Sequence, residues 1–135
     1  MVRGTITISK ALPTKYPPPN SEHNMSSIER MEFITVGIHS INPANISRIV
    51  LGEDAISVHH GKHATQFEFE KARDFLQKLA SSSLNKQFVK ADRNIVNLAK
   101  ITGIINQESN IRIFLEFEDF SVSKDRFEDF SGQEY

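Results

Sequence analysis

The sequence predicts a mainly β fold of the mixed α+β type, built from several short antiparallel β-sheets with one or two short helices. Three observations predict it. From Glu32 onward, short apolar or alternating runs recur at the period of two that a half-buried strand requires. Turn signals such as Asn42-Pro43 and Gly52-Glu53-Asp54 punctuate those runs. A single segment, Glu70 to Ala80, breaks the pattern. There Ala72, Phe75, Leu76 and Leu79 fall at i, i+3, i+4 and i+7, an apolar helical stripe.

Val2, Ile6 and Ile8 alternate with threonines, so residues 2–9 read as a short strand. Pro13 and the run Pro17-Pro18-Pro19 suit neither a helix interior nor a central strand. Residues 1–30 therefore read as a proline-containing arm or linker, with a helical turn near Ser26 to Arg30, and residues 31–135 as one β domain. Within it, Phe33 to Ile38 reads as a strand, Ile41 to Asn45 as a turn, and Ile46 to Leu51 and Ala55 to His59 as strands. His60-Gly61-Lys62 reads as a hairpin turn. His63 to Phe69 alternates, with Thr65, Phe67 and Phe69 on one apolar face. After the helix, which Ser81 to Ser83 close, Phe88-Val89 and Ile95-Val96 flank a polar knuckle. Ile101 to Ile105 and Ile111 to Phe117 are further strands, and Phe120 to Phe127 is an edge running into a short helix to Phe130.

A chain of 135 residues is long enough to bury one core without staples. Its net charge of -1 excludes a protein that coats nucleic acid by charge alone. With no cysteine, disulfides, thiolate zinc sites and cysteine nucleophiles are excluded. No stretch approaches the roughly 20 apolar residues of a membrane span, and Met1-Val2-Arg3-Gly4-Thr5 lacks a secretory apolar region. The expected location is the cytoplasm, with no membrane partner. Two Asn-x-Ser triplets, at Asn24 and Asn45, are accordingly chance matches.

The stretch with most chemical content is Phe88-Val89-Lys90-Ala91-Asp92-Arg93-Asn94-Ile95-Val96-Asn97-Leu98. A strand ends, a knuckle presents Lys90 and Arg93, and a second apolar segment re-enters the core. Exposed cations and amides in such a loop suit phosphates and base edges, although charged turns are also ordinary solvated surface. From Leu84 to Arg112 the cations Lys86, Lys90, Arg93, Lys100 and Arg112 outweigh Asp92 and Glu108. After Glu116 the balance reverses.

With the preceding strands and helix, this phrase and the ending Val122-Ser123-Lys124-Asp125-Arg126-Phe127 resemble the LytTR-type DNA-binding domain of LytR/AgrA-like response regulators. Those domains carry F-F-R-x-H-R-S-Y-I-V-N-L after the helix and close with V-S-R-x-x-L. The resemblance spans about residues 32–130. It implies a fold of short sheets whose loops, rather than a recognition helix, enter successive major grooves. Carried over by position, it implies DNA-binding roles for Lys90, Asp92, Arg93, Asn97, Lys124 and Arg126, with Asn97 bracing the loop. The turn Gly52-Glu53-Asp54 matches another loop that approaches DNA.

This sequence departs from the family pattern in three ways. The phrase is one residue shorter, with no aromatic before Ile95. Asp92 replaces a histidine or small polar residue, and Asp54 and Asp125 also fall near contact positions. A carboxylate is repelled by phosphate, though it can accept from a cytosine amino group. No receiver domain precedes the phrase, so phosphorylation-driven dimerisation is not expected of this chain.

Other constellations carry less. His59 and His60 point to opposite faces of a strand. His60 and His63 can meet across a turn, but zinc needs three or four ligands, so no metal is expected. No phosphate loop, nucleophile elbow or paired-carboxylate assembly is present, and neither a cofactor, an enzymatic activity nor a small-molecule substrate is expected. Glu116 and Glu118 read as a solvated edge. The phenylalanines Phe33, Phe67, Phe69, Phe75, Phe88, Phe114 and Phe117 read as core, while Phe120, Phe127 and Phe130 offer an exposed edge for a partner. Two functions follow as expectations. One is a transcriptional regulator binding double-stranded DNA; the other is a protein-interaction or oligomerisation module, such as a homodimer, on the same fold.

Overall fold

The computed structural model describes residues 32–134, so the expected strand at residues 2–9 and the proline-containing arm lie outside the described residues. Among the described residues are eleven strands in three antiparallel sheets and one α-helix. β1 (Ile34–Val36) and β2 (His39–Ile41) form a two-stranded hairpin. A six-stranded sheet follows, built from β3 (Ile46–Leu51), β4 (Ala55–His60), β5 (His63–Glu68), β6 (Phe88–Ala91), β7 (Asn94–Asn97) and β11 (Phe127–Asp129). Its spatial order is β11-β6-β7-β3-β4-β5. A three-stranded sheet holds β8 (Gly103–Asn106), β9 (Asn110–Phe114) and β10 (Asp119–Ser123), with β9 central.

The six-stranded sheet has a core on each face, as the alternation of its strands requires. One face carries Ile49, Ile56, Val58, Phe67, Phe88 and Ile95. Against it lies α1 (Phe69–Ala80), which buries Ala72, Phe75, Leu76 and Leu79, the stripe expected from their spacing. Each fully buried large side chain contributes roughly 1.5–3 kcal/mol of transfer free energy. Ile34, Val36 and Ile41 of the first hairpin join the same core, and Lys78 Nζ ties the helix to that hairpin by donating to Thr35 O at 2.8 Å. The opposite face presents Ala91 to Ile113 and Val122 of the three-stranded sheet and to Leu115 in the turn after β9.

The structure revises four boundaries. Phe33 to Ile38 is not one strand, because Gly37 takes a left-handed φ of +63° and turns the chain, leaving Ile38 96% exposed. The Ile111 to Phe117 run is interrupted after Phe114 by a turn that Leu115 N–H closes on Glu118 O. The segment expected to run into a helix ending at Phe130 is instead strand β11, since it meets the open edge of β6 and pairs Phe127 with Ala91. Phe69 does not share the buried face of Phe67. Its φ of +54° swings the side chain out, 63% exposed, as the chain turns from strand into helix. For a bulky residue that is a true conformational outlier. Its N–H is held by Asp54 O at 2.8 Å.

Candidate functional site

Four turns at one end of the six-stranded sheet are joined to one another by hydrogen bonds. β6 and β7 pair up to Ala91 and Asn94, leaving Asp92 and Arg93 as the turn residues. Asp92 takes a left-handed φ of +56°, which aspartate tolerates better than most side chains. Its Oδ2 accepts from Ser123 N–H at 2.9 Å, which fixes the start of the β10–β11 connection beside the knuckle. Arg93 reaches the other way. Its Nε donates to Leu51 O and its Nη2 to Gly52 O, both at 2.7 Å, while Arg93 O accepts from Leu51 N–H. The Gly52-Glu53-Asp54 turn is thus clamped to the knuckle. Lys124 N–H donates to Ser109 O, which brings in the β8–β9 turn.

This row of turns exposes Glu53, Asp54, Arg93, Glu108, Lys124, Asp125 and Arg126. Of the six residues the resemblance singles out, Asp92, Arg93, Lys124 and Arg126 are gathered here. Lys90 stands one strand position behind, paired in register with Ile95 on one side and Glu128 on the other. Asn97 is not brought to this end. It closes the far end of β7, fully buried, where Nδ2 donates to Ile46 O at 2.8 Å and Oδ1 accepts from Ala99 N–H at 3.0 Å. A residue with no exposed surface cannot touch a ligand, so Asn97 holds backbone. The carboxylate of Asp92 and part of the Arg93 guanidinium are likewise committed to backbone partners.

The border between the two larger sheets contains a cluster that the sequence did not reveal. Glu118 accepts from His59 Nδ1 at 2.8 Å and lies 3.3 Å from Arg48 Nη1, so it is an internal partner rather than a solvated edge. The Arg48 guanidinium also stacks over Phe120, 4.2 Å from the ring centroid. Burial pushes Arg48 below its ordinary pKa, and Glu118 works against that shift. Nothing in the local sequence signals this cluster, because it depends on where the β9–β10 turn falls. Beside it opens a cleft of about 340 Å³, edged by Lys62, His63, Lys100 and Glu116 as well as His59 and Glu118.

His60 faces away from His59, with Nε2 2.8 Å from Thr65 Oγ1 and its ring 6.1 Å from that of His63. Among the described residues, no group of three or more histidine or carboxylate side chains is placed to hold an ion. The phenylalanines divide. Phe67, Phe75 and Phe88 are buried, whereas Phe33, Phe69 and Phe117 are exposed. Phe130 packs on Phe88, leaving Phe127 as the exposed aromatic of the C-terminal edge.

No protein-family model matches the chain, and no curated protein matches it. Among solved structures, the chain is similar to one described as the LytTr DNA-binding domain of a methyl-accepting/DNA response regulator from Bacillus cereus. The TM-score is 0.53 at 14% sequence identity, covering 70% of this chain and 87% of that one. The likeness establishes the fold: this chain has the LytTr architecture, mainly β with three antiparallel sheets. No helix among the described residues is long and apolar enough to cross a membrane.

Proposed function

We propose that this protein is a sequence-specific DNA-binding regulator without enzymatic activity, whose turn-bearing end enters the major groove. The observation that carries the reading is the lacing of the Asp92-Arg93 knuckle to Gly52, Ser123 and, through Lys124, Ser109. It preorganises a row of loops on a fold shared with a domain described as DNA-binding. Lys124 and Arg126, exposed on the β10–β11 connection, take phosphates, with Lys90 flanking. Arg93 has five N–H donors and uses two on backbone, so the others are free to meet a base edge. Asp92 and Asn97 act as the frame. The exposed carboxylates Glu53, Asp54 and Asp125 weaken generic attraction to phosphate, which leaves recognition to base contacts such as the cytosine amino group. Such a role places the protein with the DNA, in the cytoplasm expected from its sequence.

The test is selection from a pool of random duplexes, followed by fluorescence anisotropy on the enriched sequence at several salt concentrations. An enriched motif is expected, with a shallow salt slope set by roughly three phosphate contacts. Lys124→Ala with Arg126→Ala should weaken binding about tenfold or more and reduce that slope by about two. Failure to enrich any motif, together with no binding at low salt, would overturn the reading.

A further inference from the structure

Edge strands invite pairing with other chains, and proteins usually guard them with charge or proline. The edges of the six-stranded sheet follow that rule: β5 carries Glu68 and β11 carries Glu128 and Asp129. At one edge of the three-stranded sheet, β10 begins with Asp119. The other edge, β8, has no such guard. From Ile101 to Gln107 the chain has neither a charged residue nor a proline. Ile104 is 56% and Ile105 46% exposed, on opposite faces of the strand. Ile104 pairs in register with the buried Ile113, so its side chain is the uncovered outer rim of the second core.

The backbone of β8 is also oriented for pairing. Gln107 N–H donates to Asn110 O at 3.0 Å. By antiparallel alternation Ile105 turns its N–H and C=O toward β9 as well, and those of Ile104 and Asn106 point outward. The charges that bound the strand have opposite signs, Lys100 before it and Glu108 after it. That arrangement favours a strand pairing antiparallel with its own copy, because each end then meets the opposite end of its neighbour.

We propose that β8 is the seam of a two-fold homodimer, with Ile104 opposite the partner's Ile104. In that register Thr102, whose N–H stays on Phe114 O, stands opposite the partner's Asn106. The long side chain of Lys100, from the short helical turn Leu98–Lys100 before the strand, reaches toward the partner's Glu108 at both ends of the seam. The two three-stranded sheets become one six-stranded sheet across the axis, and the rim of each second core is covered by the other. A strand this short buries little area, so the dimer forms in roughly the micromolar range. The seam forms without nucleic acid.

Sedimentation velocity of the full chain without DNA, from about 1 µM to about 200 µM, tests it. Wild type should pass from monomer to dimer over that range. Ile104→Pro removes one outward N–H that β9 does not use, so it should stay folded by circular dichroism and remain monomeric. Lys100→Glu should weaken the dimer about tenfold or more, and Lys100→Glu combined with Glu108→Lys should restore it. The charge pair serves as the test if the proline variant fails to fold. A wild-type monomer throughout, a dimer that survives Ile104→Pro, or a double exchange that fails to restore association would each overturn the proposal.

Discussion

Asn97 stands among the residues to which the resemblance gives a DNA-binding role, bracing the loop; it is fully buried and holds Ile46 O. Replacing it with alanine removes the donor and leaves that carbonyl unpaired inside the protein. Asn97→Ala should therefore cost about 1–3 kcal/mol in urea denaturation. An unchanged midpoint would mean that water or a shifted backbone replaces the bond. His60 allows a second prediction. Burial first, and then the neighbouring His63, His39 and His59, lower its pKa in the folded state. Near pH 7.5 the imidazole is neutral in both states and the shift contributes nothing. As pH falls below the unfolded value of about 6.5, the unfolded chain binds the proton more readily, so stability falls. The loss is complete once pH has passed the lowered folded value. His60→Gln should flatten the drop in melting temperature between pH 7.5 and pH 5. An identical pH profile in the two proteins would remove His60 as its source.

At the scale of elements, the C-terminal segment is fixed by a glycine. Gly132 is buried at a φ of +86°, and a Cβ there would stand 2.5 Å from Ala80 Cβ and 3.1 Å from Leu76 O. Gly132→Ala combines a left-handed penalty of about 1–2 kcal/mol with a collision against the last turns of α1. It should lower the denaturation midpoint and speed amide exchange in residues 76–80. Unchanged exchange there would show that the segment is not seated on the helix. The helix itself was legible because its four buried positions lie within one short stretch, and strands β4 and β5 because their alternation matches their burial. The splitting of Phe33–Ile38 into a hairpin turned on the φ of Gly37, which the apolar run conceals. Strand β11 turned on the open edge of β6, a partner distant in sequence. Period two places Phe69 beside Phe67, whereas the strand-to-helix corner, at a φ of +54°, reverses its direction.

For the whole molecule, the two cores share one sheet, so the turn-bearing end is set by a frame rather than by the knuckle alone. The sequence located the knuckle and the closing basic segment but gave no means of seeing how they are joined. Asp92 finds Ser123, and Arg93 finds Gly52, only after β10 and β3 have been placed. Those contacts also separate the two kinds of variant. Lys124 and Arg126 are exposed, so their loss should register in DNA affinity and little in stability. Arg93→Ala should register in both.

The strand order has a consequence for synthesis. β3 sits inside the six-stranded sheet between β4, its immediate successor, and β7, which begins only at Asn94. The outer neighbour of β6 is later still, at Phe127. A chain emerging from the ribosome can form the β3–β4–β5 meander and α1 early. One side of β3 then stays unpaired until β7 has been made, and β6 waits for β11 longer still. Contacts so distant in sequence favour folding over roughly milliseconds to seconds rather than microseconds. For that interval the apolar strand Ile46–Leu51 is the segment most exposed to a chaperone or to a neighbouring nascent chain.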